Sequence, residues 1–159
     1  KTNGIRCRGE LEYVGDVEFT SDEEATFIID QYTAWAPMCA LWSAVIDKSE
    51  YKSIDYSYIA EEPGMQIYEI YDPYGDFPDR YYIDIWLEDD DQQNEALMKI
   101  YDDRYYTDEK AIIKALQKLL DTDEVDYMKL KDEAENYPFA DKKSYLMINE
   151  YSIVEEPYM

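Results

Sequence analysis

The segment Tyr81–Trp86 constrains the fold of this chain more than any other, because apolar and mixed positions alternate along it. Alternate residues of an extended strand point to opposite faces. The two faces carry Tyr81, Ile83 and Ile85 on one side and Tyr82, Asp84 and Trp86 on the other. One apolar face and one mixed face are typical of an antiparallel sheet that buries one side and exposes the other to water.

Further strand-like patterns lie on both sides of this segment. They cover residues 5–19, 26–33, 54–60, 66–71 and 145–154. Gly15-Asp16 has the composition of a tight turn, which predicts that residues 5–19 form a hairpin. A short strand is favoured near residues 97–101 or 104–106, where the pattern is ambiguous.

Three segments have the periodicity of helices. The first follows Pro37 and carries an apolar face of Met38, Leu41, Trp42, Val45 and Ile46. The second follows Thr107 as its predicted cap and carries Ile112, Ala115, Leu116, Leu119 and Leu120. A weaker pattern over residues 123–135 places Val125 and Met128 inward.

The order of these elements predicts an α+β fold, in which helices pack on one face of an antiparallel sheet. A ferredoxin-like core is the simplest such layout. At 159 residues and 46% hydrophobic composition, the chain is expected to form a single domain over residues 1–159. We place the ferredoxin-like core at approximately 5–121 and a helix–strand extension at 122–159, which either completes the core or docks on it.

The charge balance predicts the kind of partner. The chain has 38 acidic and 15 basic residues, and its net charge is −23. Such a field repels nucleic acids and anionic membranes and attracts basic proteins. We therefore expect a basic partner, either a nucleic-acid-binding protein or a nuclease, with no direct contact to nucleic acid or membrane. The alternative is that the acidity only keeps a small cytoplasmic protein soluble; on either interpretation a cytoplasmic location is expected.

The residue inventory argues against catalysis. The chain has no histidine, so a Ser-His-Asp or Cys-His site is not possible within it. Its five glycines do not form a phosphate-binding loop. We predict a non-enzymatic protein without a cofactor. A carboxylate-based hydrolase that pairs Glu69 with Asp84 is the alternative, although both acids are expected to face outward from their strands.

Neither the acidic runs nor the cysteines predict a metal centre or a disulfide framework. If Asp89 began a calcium loop of the EF-hand type, Asn94 would stand where that loop needs glycine. The run 121–126 departs from the pattern as well. Cys7 and Cys39 are the two cysteines, and Cys39 is expected to be a small core residue.

Residues 82–91 are the predicted partner-binding surface. The candidates combine exposed aromatic rings with an exposed acidic loop: Tyr82, Trp86, Glu88, Asp89, Asp90 and Asp91. Tyrosine and tryptophan are preferred anchors of protein interfaces. We expect replacement of residues 89–91 by lysine to abolish partner binding and to leave folding intact. The alternative is that a helix covers the face that carries Tyr82 and Trp86.

Three short motifs resemble the YubB ferredoxin-like domain family, whose members occur in plasmids, phages and conjugative elements. The motifs are Thr33-Ala34-Trp35-Ala36-Pro37, Glu61-Glu62-Pro63-Gly64-Met65 and Asp79-Arg80-Tyr81-Tyr82. The resemblance covers roughly residues 5–90 and extends at most to about 120. It implies a ferredoxin-like sheet and a mobile-element setting, and it supplies no catalytic residues. The chain lacks the family's N-terminal Trp-Cys segment, has Met38 in place of a second proline, and has no counterpart for residues 122–159.

These observations predict an acidic, non-enzymatic protein-binding domain of mobile-element type. Its sharpest form is a DNA mimic that inhibits a restriction, CRISPR or other nucleic-acid-handling protein, because a track of carboxylates resembles the regular charge of duplex DNA. An alternative that depends on the same electrostatic attraction is an immunity protein that neutralises a basic nuclease toxin. The carboxylate-based hydrolase and a plain structural or regulatory domain are the alternatives from other classes.

Overall fold

The computed structural model describes residues 9–33, 37–48 and 53–156. Within these ranges the strands are β1 (Gly9–Val14), β2 (Glu18–Phe19), β3 (Ala25–Thr26), β4 (Ile29–Thr33), β5 (Tyr58–Glu62), β6 (Ile67–Tyr71), β7 (Tyr81–Trp86), β8 (Tyr105–Tyr106), β9 (Tyr145–Glu150) and β10 (Ser152–Ile153). The α-helices are α1 (Cys39–Lys48), α2 (Glu95–Asp102), α3 (Glu109–Leu120) and α4 (Tyr127–Glu135). The predicted α+β class is confirmed.

The described strands form four small sheets in place of the single antiparallel sheet that was expected. The central sheet has the order β8-β7-β9 and is antiparallel. A second sheet has the order β10-β6-β5, in which β10 and β6 run parallel. Two-stranded pairs join β1 to β4 and β2 to β3. A ferredoxin-like core stays a prediction.

Tyr151 explains why the predicted strand over residues 145–154 is divided between two sheets. Its backbone N–H donates to the carbonyl of Arg80 at 2.9 Å, which ends the pairing of β9 beside β7. Three residues later, the N–H of Val154 donates to the carbonyl of Ile70 at 2.8 Å. The chain therefore passes from the central sheet to the second sheet at this residue.

The main core lies between β7 and the helices. Ile83 and Ile85 are buried on the face of β7 that was predicted to be apolar. The fully buried side chains of the surrounding elements are Leu97, Ile112, Leu116, Leu130 and Leu146. Leu130 and Leu146 belong to residues 122–159, so this part of the chain contributes directly to the core, which is one of the two arrangements left open by the sequence.

A smaller cluster joins the second sheet to the central sheet. Tyr68, Ile70 and Tyr151 are its buried members, and Phe77 and Tyr82 pack against them. Tyr68 contacts the ring of Tyr151 edge to face, with 5.8 Å between the centroids. The Tyr151 hydroxyl donates to a carboxylate oxygen of Glu61, which ties β5 to the residue at which the chain changes sheets.

The predicted hairpin at Gly15-Asp16 is wrong. β1 pairs with β4, and the N–H of Gly15 donates to the carbonyl of Ile28 at 2.7 Å, so the chain continues past Gly15 instead of reversing there. It reverses between β2 and β3, where the N–H of Thr20 donates to the carbonyl of Glu24 at 3.0 Å. Residues 5–8 of the predicted hairpin lie outside the described residues.

The helix predictions are correct for position and partly wrong for orientation. In α1, Cys39 is buried as expected, whereas Val45 of the predicted apolar face is exposed. The cap of α3 is Asp108, whose carboxylate accepts the N–H of Ala111 at 2.8 Å, and not Thr107. Trp35 lies outside the described residues.

Two further differences concern α2 and α4. Of the two positions predicted for a short strand, residues 104–106 contain β8, whereas residues 97–101 belong to α2, which is capped by Asn94. Because α4 begins after its cap Asp126, Val125 precedes the helix and is exposed. Leu130 and Ala134 face the core in place of Val125 and Met128. None of the helices in the described ranges has the length and apolar character needed to cross a bilayer.

Candidate functional site

The face of the central sheet opposite the helices carries the candidate site. Strand register places residues of β8 and β9 directly beside those of β7: Tyr105 and Asn149 beside Tyr82, Met147 beside Asp84, and Tyr145 beside Trp86. Directly opposed residues of an antiparallel pair share one face and lie about 4.5–5.5 Å apart at Cβ. We call the surface formed by Tyr82, Asp84, Trp86, Tyr105, Tyr145 and Met147 the open face.

The Tyr82 end of the open face is partly covered. The rings of Tyr82 and Tyr105 are stacked, with their centroids 5.0 Å apart and the planes inclined by 29°. Tyr68 of the second sheet also approaches the ring of Tyr82, at 6.3 Å between centroids. Tyr82 therefore joins the two sheets, and only part of its ring remains available to a partner.

The Trp86 end of the open face is accessible. Trp86 is 52% exposed, Tyr145 43% and Met147 41%, so these side chains are not buried beneath a helix. The indole N–H of Trp86 donates to Glu88 at 3.3 Å. The hydroxyl of Tyr145 lies 3.5 Å from both carboxylate oxygens of Asp84. Two large rings are thus flanked by two carboxylates.

The local electrostatic potential at the open face is negative. Burial raises the pKa of Tyr145, and the carboxylate of Asp84 raises it further, although Arg104 opposes this effect. The pKa of Tyr68 is raised to about 12, by burial first and then by Asp84 and Glu61. An extra negative charge on either phenol is disfavoured because acids already surround it.

The acidic loop divides into exposed and buried residues. Asp89 and Asp90 are exposed and Glu88 is half-buried, so three of the four predicted acids are accessible to a partner. Asp91 is only 4% exposed, which contradicts the expectation that the whole run is an exposed loop. Asp89, Asp90 and Asp91 look alike in the sequence, but in the structure only the last of the three is buried.

Asp91 connects the acidic loop to the turn that precedes β9. Its carboxylate accepts the Ala140 N–H at 2.7 Å, the Asp141 N–H at 3.0 Å and the Ser144 hydroxyl at 2.6 Å. The bond from Ser144 lowers the pKa of Asp91 the most, burial opposes it, and the two N–H groups lower it further. Replacement by lysine would leave these donors unpaired, so charge reversal of residues 89–91 combines a folding defect with any binding defect.

The residues that the sequence interpretation missed are Tyr145, Met147 and Tyr105. All three lie on the open face only because of strand pairing. Residues 145–149 do contain a usable signal, because Leu146 and Ile148 alternate with the more exposed Tyr145 and Met147. No local sequence pattern predicts the strand register that places Tyr145 opposite Trp86.

The two acids of the alternative hydrolase lie in different sheets. Asp84 belongs to the open face, whereas Glu69 of β6 lies near Cys39 and Tyr58, between α1 and the second sheet. Oε2 of Glu69 is buried and has no hydrogen-bond partner among the described residues, whereas the hydroxyl of Tyr58 lies beside the thiol of Cys39. Burial raises the pKa of Cys39, which favours its neutral thiol.

Two surface depressions of the described residues lie away from the open face. One is lined by α3 and the loop after it, including Lys114, Lys118 and Asp121, and the other by α2 and α3, including Lys99 and Tyr106. In the described ranges, acidic and cysteine side chains form no group of three or more that could hold a metal ion.

Comparison with known proteins gives no relative for this chain: no protein-family model, no curated protein and no solved structure matches it. The chemical character of the site therefore comes from its geometry alone. Rings at the Trp86 end offer flat apolar surface, and the neighbouring carboxylates offer hydrogen-bond acceptors and negative charge. This combination can bind a cationic group that also has an apolar or planar part.

Proposed function

We propose that this chain is a non-enzymatic binding protein that engages a basic protein partner through the open face and the adjoining acids Glu88, Asp89 and Asp90. The observation that carries the proposal is the accessible pair Trp86 and Tyr145 with carboxylates on both sides. Large aromatic residues contribute most of the binding energy in many interfaces, and charged residues at the rim accelerate association.

The distribution of ion pairs supports a partner of opposite charge. Among the described residues, the ion pairs are Lys129 with Glu124 and Lys131 with Glu135, and both lie at α4. Neither Asp84 nor Glu88 takes part in them. The site therefore presents uncompensated negative charge in a molecule whose net charge is −23, and such a surface attracts a basic protein over long distances.

The sharper form of the proposal is a DNA mimic of mobile-element type. A basic groove that binds duplex DNA also binds an ordered acidic surface, because duplex DNA presents about one negative charge per 1.7 Å along its axis. The resemblance to the YubB family and the ferredoxin-like core are parts of this proposal. A nucleic-acid-binding defence protein and a nuclease toxin are both partners of this kind.

The proposal is tested with two variants that change the net charge equally. In the loop variant, Glu88, Asp89 and Asp90 are each replaced by lysine. In the helix-side variant, the exposed acids Asp102, Asp123 and Glu133 are replaced in the same way. Both variants keep Asp91, so that the loop remains attached to the turn before β9.

The wild type and both variants are immobilised, and the proteins captured from a bacterial lysate are compared at about 0.1 M and about 0.5 M salt, where screening is several-fold stronger. We expect a basic nucleic-acid-handling protein to bind the wild type and the helix-side variant, to be lost from the loop variant, and to dissociate at high salt. Its displacement by added duplex DNA would support mimicry. Equal capture by both variants would contradict the proposed surface.

A further inference from the structure

We infer that Trp86, Tyr145, Asp84 and Glu88 form a site for an arginine side chain of the partner. The inference rests on the proposed function and adds the chemical group that the open face recognises. We call these four residues the guanidinium site. The site combines two exposed rings with two carboxylates, of which Asp84 has unused acceptor capacity. The ion pairs of the described residues leave both carboxylates without a cation.

The rings form the first part of the site. Trp86 and Tyr145 are directly opposed across β7 and β9, and both are about half exposed at 52% and 43%. A planar guanidinium stacks on an aromatic face, where the ring quadrupole attracts the cation. Tryptophan is the strongest partner for this interaction, and an exposed pair accommodates the long apolar stem of arginine as well.

Asp84 forms the second part. Its two carboxylate oxygens each lie 3.5 Å from the Tyr145 hydroxyl, which is at the outer limit of a hydrogen bond. Both oxygens therefore keep most of their acceptor capacity. A guanidinium offers two parallel N–H donors that match a carboxylate, whereas an ammonium is a compact and strongly hydrated point charge. The arrangement thus favours arginine over lysine.

Glu88 extends the negative charge to the far side of the indole. Its Oε1 accepts the Trp86 indole N–H at 3.3 Å, which fixes the edge of the ring and leaves its faces available. Asp84 and Glu88 lie on the same open side of the sheet as the rings. A cation bound at the indole face would therefore be attracted by two carboxylates.

The basic side chain that influences this surface is already engaged elsewhere. Arg104 lies with its guanidinium carbon 4.2 Å from the centroid of the Tyr101 ring, and its Nε donates to the Tyr101 carbonyl at 3.0 Å. Among the described residues, the ion pairs do not include Asp84 or Glu88. The guanidinium site is thus available to a residue of another protein.

The test is a titration of the full chain with three short peptides that differ at one type of residue: Gly-Arg-Gly-Arg-Gly and its lysine and citrulline counterparts. Binding is followed by NMR at the indole N–H of Trp86, which is assigned from its loss in Trp86→Phe. At about 0.1 M salt we expect the arginine peptide to bind about tenfold more tightly than the other two. Citrulline keeps the shape of arginine and lacks its charge.

Three variants separate the guanidinium site from general attraction. Asp84→Asn and Trp86→Ala are each expected to weaken binding of the arginine peptide about tenfold. Because Trp86→Ala lacks the indole N–H, its binding is followed at the backbone amide of Tyr145, the residue opposite Trp86. Asp123→Asn removes the same charge from the exposed loop between α3 and α4 as Asp84→Asn removes from the site, and it is expected to keep binding within about twofold. Circular dichroism establishes that each variant is folded.

Each outcome decides between the two proposals. Equal binding of the arginine and lysine peptides, with equal effects of Asp84→Asn and Asp123→Asn, would overturn the guanidinium site and leave general attraction of basic partners in place. No binding of any peptide would also overturn the guanidinium site, while the capture experiment would still decide the proposed function. Arginine selectivity that depends on Asp84 and Trp86 would establish the site.

Discussion

At the residue scale, Asp91 is the acid whose role in the fold can be separated from binding. Its carboxylate pairs with three donors of the turn that precedes β9. Asp91→Ala leaves these donors without a partner in a buried position, so we expect the melting temperature to fall by about 5 °C or more. Thermal denaturation followed by circular dichroism measures the change, and Asp90→Ala, at the exposed neighbour, is the matched control.

The pH dependence of stability provides a second readout for the same residue. The pKa of Asp91 is lower in the folded protein than in the unfolded chain, where about 3.9 is ordinary for aspartate. Its contribution to stability is therefore present above about pH 4 and is lost as the pH falls through the folded value. Asp91→Ala should differ from the wild type less at pH 3 than at pH 7; an equal difference at both would contradict the role of the carboxylate.

Single residues also mark the limit of what the sequence predicts. The alternation in Tyr81–Trp86 correctly separates buried Ile83 and Ile85 from the exposed Trp86. No local pattern distinguishes Asp91 from Asp89, because the difference arises from donors about 50 positions further along the chain. The sequence therefore predicts which side chains of a strand are accessible, and it does not predict which member of an acidic run is used by the fold.

At the element scale, the outer edge of β9 is protected by side chains of α4. The N–H of Ile148 donates to Glu135 at 2.9 Å, and the ammonium of Lys131 donates to the carbonyl of Ile148 at 2.8 Å. Lys131 and Glu135 also form an ion pair, at 3.8 Å. An unprotected edge strand can pair with another chain, and charged side chains at the edge prevent this.

We expect the double replacement Lys131→Ala and Glu135→Ala to destabilise the fold by about 2 kcal/mol and to promote self-association through β9. The net charge is unchanged, so altered repulsion between molecules does not explain such a result. Urea denaturation and light scattering during size-exclusion chromatography measure the two effects. Lys114→Ala with Glu133→Ala is the control, because these exposed residues lie away from the edge. A monomer as stable as this control would contradict the protective role.

Elements whose apolar residues recur with a clear period were predicted correctly, whereas the pairing of strands was not. α3 and β7 each bury an apolar face that the sequence displays. α2 has only eight residues, so its period is short, and two signals were missed: its cap Asn94 and the helix-favouring composition of residues 95–99. β1 pairs with β4, and β2 and β3, which lie between them in the sequence, pair with each other. The turn-like composition of Gly15-Asp16 does not predict this non-local pairing.

At the scale of the whole molecule, charge and core act in opposite directions. The buried clusters contain residues from 68 to 151, and the net charge of −23 is spread over the exterior around them. Self-repulsion of this kind disfavours the compact state and is screened by salt. The proposed partner binding depends on the same charge, and salt acts on it in the opposite direction, because screening weakens an attractive interaction.

Salt is therefore predicted to stabilise the fold while it weakens partner binding. Between about 0.01 M and about 0.5 M sodium chloride, we expect the melting temperature of the wild type to rise by about 5 °C. The helix-side variant, in which Asp102, Asp123 and Glu133 are lysine, should start from a higher melting temperature at low salt and respond less, because part of the repulsion has been removed. Calorimetry of both proteins over the same salt range measures the two slopes.

A melting temperature that does not change with salt would show that the acids are too far apart to oppose folding. If the melting temperature rises with salt, the fold is more stable at about 0.5 M salt, where a captured partner is expected to be released. Unfolding of the binding protein is thereby excluded as the reason for release. Loss of the partner at high salt from the folded protein, together with its loss from the loop variant and its retention by the helix-side variant, would assign Glu88, Asp89 and Asp90 to recognition.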